Sequence, residues 1–248
     1  MMRYWLVMPA AGVGRRFGAS RPKQYAPLAG RTVIEWALSP FLADSRCAGV
    51  ALALATEDPY WGEVAQRLAG LPQRTPEMIR ATGGEERSHS VRQGLAALAG
   101  RASADDWVLV HDAARPCLAA GDLQQLLERA GAHPVGGILA TPAADTLKRA
   151  RTPAIGEAPE IDATVDRAGL WRALTPQMFR YAKLCEALDR ALAAGRAPTD
   201  EAQALEWLGQ QPLLVQGSAA NIKITGTDDL VLAAALLQAR ARSKEQSE

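Results

Sequence analysis

The chain has 248 residues, 48% of them hydrophobic, and its 28 lysines and arginines nearly balance 27 aspartates and glutamates for a net charge of +1. Such a length fits one large α/β domain or two small ones, and the near-zero charge excludes a global field for nucleic acid or an anionic membrane, so any anion must be held by local clusters. Three scattered cysteines (Cys47, Cys117 and Cys185) exclude a disulfide framework and fit a reducing cytoplasm, and three distant histidines (His89, His111 and His133) lack zinc-ligand spacing.

The apolar run Tyr4 to Met8 is too short for a signal peptide and leads into cations, so it reads as a buried first strand. No apolar run reaches the length of a membrane span. Next come Pro9-Ala10-Ala11-Gly12-Val13-Gly14-Arg15-Arg16-Phe17, then Arg21-Pro22-Lys23-Gln24. Glycines let a backbone approach a ligand closely, and successive N–H groups in such a turn make an anion-binding concavity. Added cations point to several phosphate charges. The spacing is neither a dinucleotide fingerprint, because Phe17 stands where the third glycine belongs, nor a P-loop.

Periodicity then predicts a helix over Val33 to Leu42, a strand over Gly49 to Ala55 and a helix over Pro59 to Leu68. A strand over Met78 to Thr82 precedes a helix over Ser90 to Leu98. Trp107 to His111 reads as a strand, Leu118 to Ala130 as a helix and Val135 to Thr141 as a strand. This rhythm argues a mostly parallel sheet with helices on both faces. Pro142 to Leu170 breaks it, and weak alternation at Ile161 to Val165 suggests a two-stranded arm that dimerises. Helices are expected over Tyr181 to Ala194 and Asp200 to Leu208, and a strand over Leu213 to Gln216. A last helix should begin at Asp228 or Asp229, with Thr227 as its N-cap. One domain is expected over 1–242, including the arm, before a polar tail at 243–248. No room is left after Leu237 for a second catalytic domain, so a monofunctional chain is expected.

Ligands of open α/β sheets bind beyond the carboxyl ends of the strands. Polar groups gather there repeatedly: the Gly/Arg/Lys loop, Gly83 to Ser90, His111 to Pro116, Asp145 to Arg149, and Lys223. His111 reads as a packed strand-end residue, and the cysteines as small buried residues rather than nucleophiles.

PAAGVGRRFG with PKQY, GGEERSHSV, HDAARP, DTLKR, TVDRAGLW, LTPQ, TDEA and NIKIT resembles the 2-C-methyl-D-erythritol 4-phosphate cytidylyltransferases from about Trp5 to Leu230. The resemblance implies a Rossmann-like α/β fold with a protruding β-arm, a homodimer, and magnesium or another divalent cation. The implied reaction joins CTP to the polyol phosphate in non-mevalonate isoprenoid biosynthesis and releases pyrophosphate. A ribitol 5-phosphate cytidylyltransferase shares much of the pattern and is the alternative reading.

The resemblance makes Arg16 and Lys23 the catalytic cations. Ala10, Ala11, Gly12, Gly14, Gly83, Gly84, Ser90 and Asp112 would hold the nucleotide, with Asp112 also the metal carboxylate. Ala113, Arg115, Thr146, Arg167, Thr175, Thr199 and Lys223 would hold the acceptor, with Thr146 and Arg167 reaching it across the dimer interface. Three positions stay open. Arg15 either joins the catalytic cations or only lines the loop. Arg87 is a site cation or a structural ion-pair member. Asp200 orients neighbours or simply begins a helix, where negative charge is favourable.

Overall fold

The computed structural model describes residues 2–12, 17, 21–71, 76–152 and 158–245. A seven-stranded sheet runs through its centre: β1 (Tyr4–Pro9), β4 (Cys47–Leu54), β5 (Glu77–Thr82), β6 (Trp107–Val110), β7 (Gly136–Pro142), β10 (Trp171–Arg180) and β11 (Leu213–Gln216). Their order is β11-β7-β10-β6-β1-β4-β5, parallel except for β10, which pairs antiparallel with both β6 and β7. Two short hairpins stand apart, β2 (Pro27–Leu28) with β3 (Arg31–Thr32) and β8 (Leu147–Ala150) with β9 (Ile161–Val165).

Successive strand side chains point to opposite faces, and here both faces are apolar. Tyr4, Leu6 and Met8 pack with α1 (Val33–Leu42), α2 (Trp61–Ala69) and α4 (Ala120–Gly131) through Ile34, Leu38, Val64 and Leu126. Trp5 and Val7 face α3 (Arg87–Ala97), α5 (Tyr181–Ala193) and α6 (Glu201–Glu206) through Val91, Leu95, Leu184 and Leu205. Each such buried aliphatic side chain contributes about 1.5–3 kcal/mol. The helix α7 (Thr227–Glu245) closes a third cluster with the β2–β3 hairpin, where Ala233 and Leu237 meet Leu28 and Cys117.

The expected α/β sheet covered on both faces is present, and the two-stranded excursion is β8 paired with β9. One strand escapes the sequence rhythm: β10 lies between β6 and β7, where no strand is predicted. Pro176 interrupts it, and its register shifts between Ala173 and Gln177, so the sequence offers no continuous apolar run. Several boundaries move by one to three residues. The third helix begins at Arg87 rather than Ser90, which places Arg87 in its first turn. The second strand begins at Cys47. The last helix begins at Thr227 itself, and its first-turn Asp229 carboxylate folds back onto the N–H groups of Thr225 and Gly226.

Candidate active site

Chain order takes β4 and β5 to one side of β1 and β6 to the other, so the strand order reverses between the parallel neighbours β1 and β6. A cleft of roughly 250 Å³ opens at that reversal, as such folds favour. Pro9 to Gly12 form one wall, Gly84 to Arg87 and Ser90 a second, and Asp112 to Ala114 with Lys223 a third, with Lys23 and Gln24 completing the lining.

The first wall is tied by a residue that sequence reasoning passed over. The Gln24 amide donates to the carbonyls of Ala10 (2.7 Å) and Gly12 (3.1 Å), pinning the loop that follows β1. Lys23, from the same short 3-10 turn, donates its Nζ to the Ile224 carbonyl at 2.8 Å. The expected Gly14, Arg15 and Arg16 lie outside the described residues. In the second wall, a Cβ on Gly83 would fall 2.3 Å from the Ala11 Cβ and 3.0 Å from Ser90 Oγ, so only glycine lets the two loops meet. Ser90 Oγ accepts from the Gly84 N–H at 3.1 Å.

The third wall is electrostatic. Asp112 is buried, and Arg87 Nε (2.8 Å), Lys223 Nζ (2.8 Å) and Arg115 Nε (3.7 Å) surround its carboxylate. Burial alone would raise its pKa, but the charges of Arg87, Lys223 and Arg115 hold it well below the usual carboxylate range. Arg87 also forks onto the buried Glu201 at 2.6 and 3.1 Å, which places it in a structural ion-pair network as well as on the cleft wall. Glu201, unlike its neighbour Asp200, carries no expectation from the sequence. Asp200 caps α6 by accepting from the Gln203 N–H at 2.9 Å and also takes the Gln177 amide. Arg115 is lowered below the usual guanidinium value by burial, opposed by Asp112, and lowered further by the charges of Arg87 and Arg172. Three cations thus face two carboxylates around Asp112, with Lys23 opposite and Arg172 within electrostatic reach. An incoming anion would relieve that excess.

Behind Asp112 the Arg115 carbonyl, which can only accept, sits 3.1 Å from His111 Nε2, so in the neutral ring Nε2 carries the proton and Nδ1 accepts from the Thr175 hydroxyl at 2.9 Å. Thr175 Oγ1 in turn accepts from the Asp112 N–H at 3.1 Å. His111 is fully buried, and burial pushes its pKa down to about 4. It is the packed strand-end residue expected, not an exposed acid or base. The unfolded value is ~6.5, so this depressed pKa contributes stability that is full above pH 6.5 and lost as pH falls towards 4. Urea unfolding should therefore find the protein about 2–3 kcal/mol less stable at pH 4.5 than at pH 7.5, with the slope reduced in His111→Gln. Equal stability at the two pH values would contradict a buried neutral imidazole.

The other expected acceptor contacts are dispersed. Thr175 is buried behind Asp112 rather than lining the cleft. Thr199 is exposed and donates its N–H to Gln203 Oε1 at 2.8 Å. Thr146 and Arg167 are exposed at the arm, where Arg167 donates to the Ala144 carbonyl. Asn221 is fully buried at the base of the site, and the sequence gives it no role beyond its motif. The thiols stand away from the chemistry: burial pushes Cys47 up to about 12 and Cys117 to about 11.

The family model described as IspD: 2-C-methyl-D-erythritol 4-phosphate cytidylyltransferase matches residues 4–239. The chain belongs to this family. It is 51% identical over 251 residues to the 2-C-methyl-D-erythritol 4-phosphate cytidylyltransferase of Halorhodospira halophila, covering 100% of this chain and 99% of that one. It is 52% identical over 230 residues to the Pseudomonas aeruginosa cytidylyltransferase, covering 92% and 93%. Among solved structures, a 4-diphosphocytidyl-2C-methyl-D-erythritol synthase superposes with TM-score 0.79 at 38% identity, over 96% of this chain and 99% of that chain. The cytidylyltransferase of Thermus thermophilus superposes with TM-score 0.72 at 34% identity, over 94% and 98%. The cleft between β1 and β6 is thus the candidate active site of a cytidylyltransferase.

Proposed function

We propose that this cleft transfers a cytidylyl group from CTP to 2-C-methyl-D-erythritol 4-phosphate, giving 4-diphosphocytidyl-2-C-methyl-D-erythritol and pyrophosphate in isoprenoid biosynthesis. The observation that carries the reading is the pairing, across one cleft, of Lys23 beside the β1 loop with Lys223 at Asp112, which Arg115 backs from 3.7 Å. That arrangement offers one cationic seat for a triphosphate and another for an acceptor phosphate.

The nucleophile is a phosphate monoester, whose second pKa near ~6 leaves it mostly dianionic at neutral pH. No base is needed, which agrees with His111, behind Asp112, being buried and spent on scaffolding. Catalysis then rests on alignment and charge. Arg16 and Lys23 would stabilise the α-phosphate and the leaving pyrophosphate. Backbone at Gly83 and Gly84, with Ser90, would read the cytosine and ribose.

Magnesium would be held by Asp112, and it would neutralise phosphate charge in the transition state. Among the described residues no group of three His, Cys, Asp or Glu side chains forms a metal cage. A single carboxylate fits a magnesium ion that brings phosphate oxygens and water as its other ligands. Asp112 would then share its carboxylate among that ion, Arg87 and Lys223. The arm exposes Leu147, Ile161 and Leu170, and Trp171 at the start of β10 adjoins them, which suits a homodimer contact that carries Thr146 and Arg167 to the partner's acceptor site. Sedimentation should give about twice the 26.4 kDa chain mass, and a monomer would refute the shared site. The free thiols and the lack of any helix long and apolar enough to cross a membrane, among the described residues, fit a cytoplasmic enzyme. Cell fractionation tests this location.

Pyrophosphate release tests the activity. With magnesium present, turnover should require both CTP and 2-C-methyl-D-erythritol 4-phosphate, stop on chelation, and fail with ATP, GTP or UTP. Faster turnover with ribitol 5-phosphate would overturn the acceptor.

A further inference from the structure

The four residues from Asn221 to Ile224 touch both halves of the cleft. The Asn221 carbonyl accepts from Arg115 Nη1 at 2.7 Å. Lys223 Nζ meets Asp112 Oδ2 at 2.8 Å. The Ile224 N–H donates to the Ala114 carbonyl at 2.8 Å, and the Ile224 carbonyl accepts from Lys23 Nζ at 2.8 Å. Arg115 and Lys223 belong to the acceptor side and Lys23 to the triphosphate side, so this short segment is a ruler between them.

The ruler has no helix or strand to stiffen it. Its anchor is the Asn221 side chain, fully buried, whose Nδ2 donates to the Thr175 carbonyl at 2.7 Å. Thr175 is a shared post, because its hydroxyl accepts from the Asp112 N–H. The amide therefore locks the ruler to the same residue that positions Asp112.

We infer that Asn221 is a positioning residue that sets the distance between the donor cation Lys23 and the acceptor cations Arg115 and Lys223. The inference rests on the reading that this cleft joins two phosphates. In-line attack tolerates little displacement, since a misplacement of about 1 Å can cost on the order of a hundredfold in rate. Asparagine suits the position because a buried donor must face the Thr175 carbonyl. Aspartate has the same shape but would set lone pairs against lone pairs, and serine is too short to reach.

The test compares Asn221→Ser and Asn221→Asp with the wild type. Calorimetry with magnesium and CTP counts binding-competent sites and gives the CTP affinity. Steady-state kinetics at saturating CTP give kcat and the acceptor KM per competent site. Both variants should keep CTP affinity near the wild-type value while kcat/KM for the acceptor falls about ten- to a hundredfold. Wild-type turnover per competent site would overturn the inference. So would loss of CTP affinity in step with turnover, or failure of both variants to fold, either of which makes Asn221 a residue of the fold. A wild type inert with CTP and the acceptor would sink the functional reading and this inference together. An active wild type with unaffected variants would sink the inference alone.

Discussion

Lys23→Ala is expected to lower kcat by on the order of a hundredfold, the usual cost of about 3 kcal/mol for removing one transition-state charge contact. The residue lines the cleft, half-buried in the short turn that Gln24 pins to the carbonyls of Ala10 and Gly12. Its Nζ donates to the Ile224 carbonyl at 2.8 Å, and its charge also helps hold the Asp229 carboxylate below the usual range. The carbonyl contact orients the ammonium towards the cleft that it lines. The loss should fall mainly on kcat, because charge on the leaving pyrophosphate grows in the transition state. Burst and steady-state pyrophosphate release would measure it. A kcat within about twofold of wild type would reduce Lys23 to a lining residue.

Arg87→Met is expected to destabilise the protein by about 3–5 kcal/mol, the range for breaking a buried ion pair. Arg87 joins three distant segments: its own helix start, Asp112 after β6, and Glu201 in α6. Burial disfavours its charge, but Glu201 and Asp112 outweigh that and hold its pKa above the usual guanidinium value. Without it, two buried carboxylates would lose a shared partner, and their folded-state pKa values would rise. A raised folded-state carboxyl pKa favours the folded state at low pH and disfavours it as pH rises. The variant's deficit should therefore be larger at pH 8 than at pH 5.5 in urea titrations. A deficit below about 1 kcal/mol, or one that grows on acidification, would contradict this account of the triad.

The βα rhythm was legible because strands buried on both faces read as apolar runs, as Tyr4 to Met8 and Trp107 to Val110 do. The carboxyl-edge loops were legible for the same reason: once the strands are placed, the polar residues after them fall together. The strand β10 was not, since Thr175 and Gln177 spend polar side chains on buried neighbours, and Pro176 breaks the ladder. The anchors were hidden too. Gln24, Asn221 and Glu201 act through one or two hydrogen bonds or an ion pair to residues up to 114 positions away, and no periodicity records such a partner. Arg87 shows the limit most clearly. Its helix begins three residues earlier than periodicity places it, so its side chain reaches the cleft and the buried network at once.

The most direct measurement follows the oxygen. Acceptor carrying ¹⁸O in its phosphate would be incubated with unlabelled CTP, magnesium and the wild-type protein, and the products read by ³¹P NMR. The two-seat cleft predicts that an acceptor oxygen becomes the bridge of the new diphosphate, so both product phosphorus resonances show the isotope shift and the pyrophosphate carries none. Label in the pyrophosphate, or a product whose cytidylyl phosphorus shows no isotope shift, would contradict attack by the acceptor phosphate on the α-phosphorus of CTP.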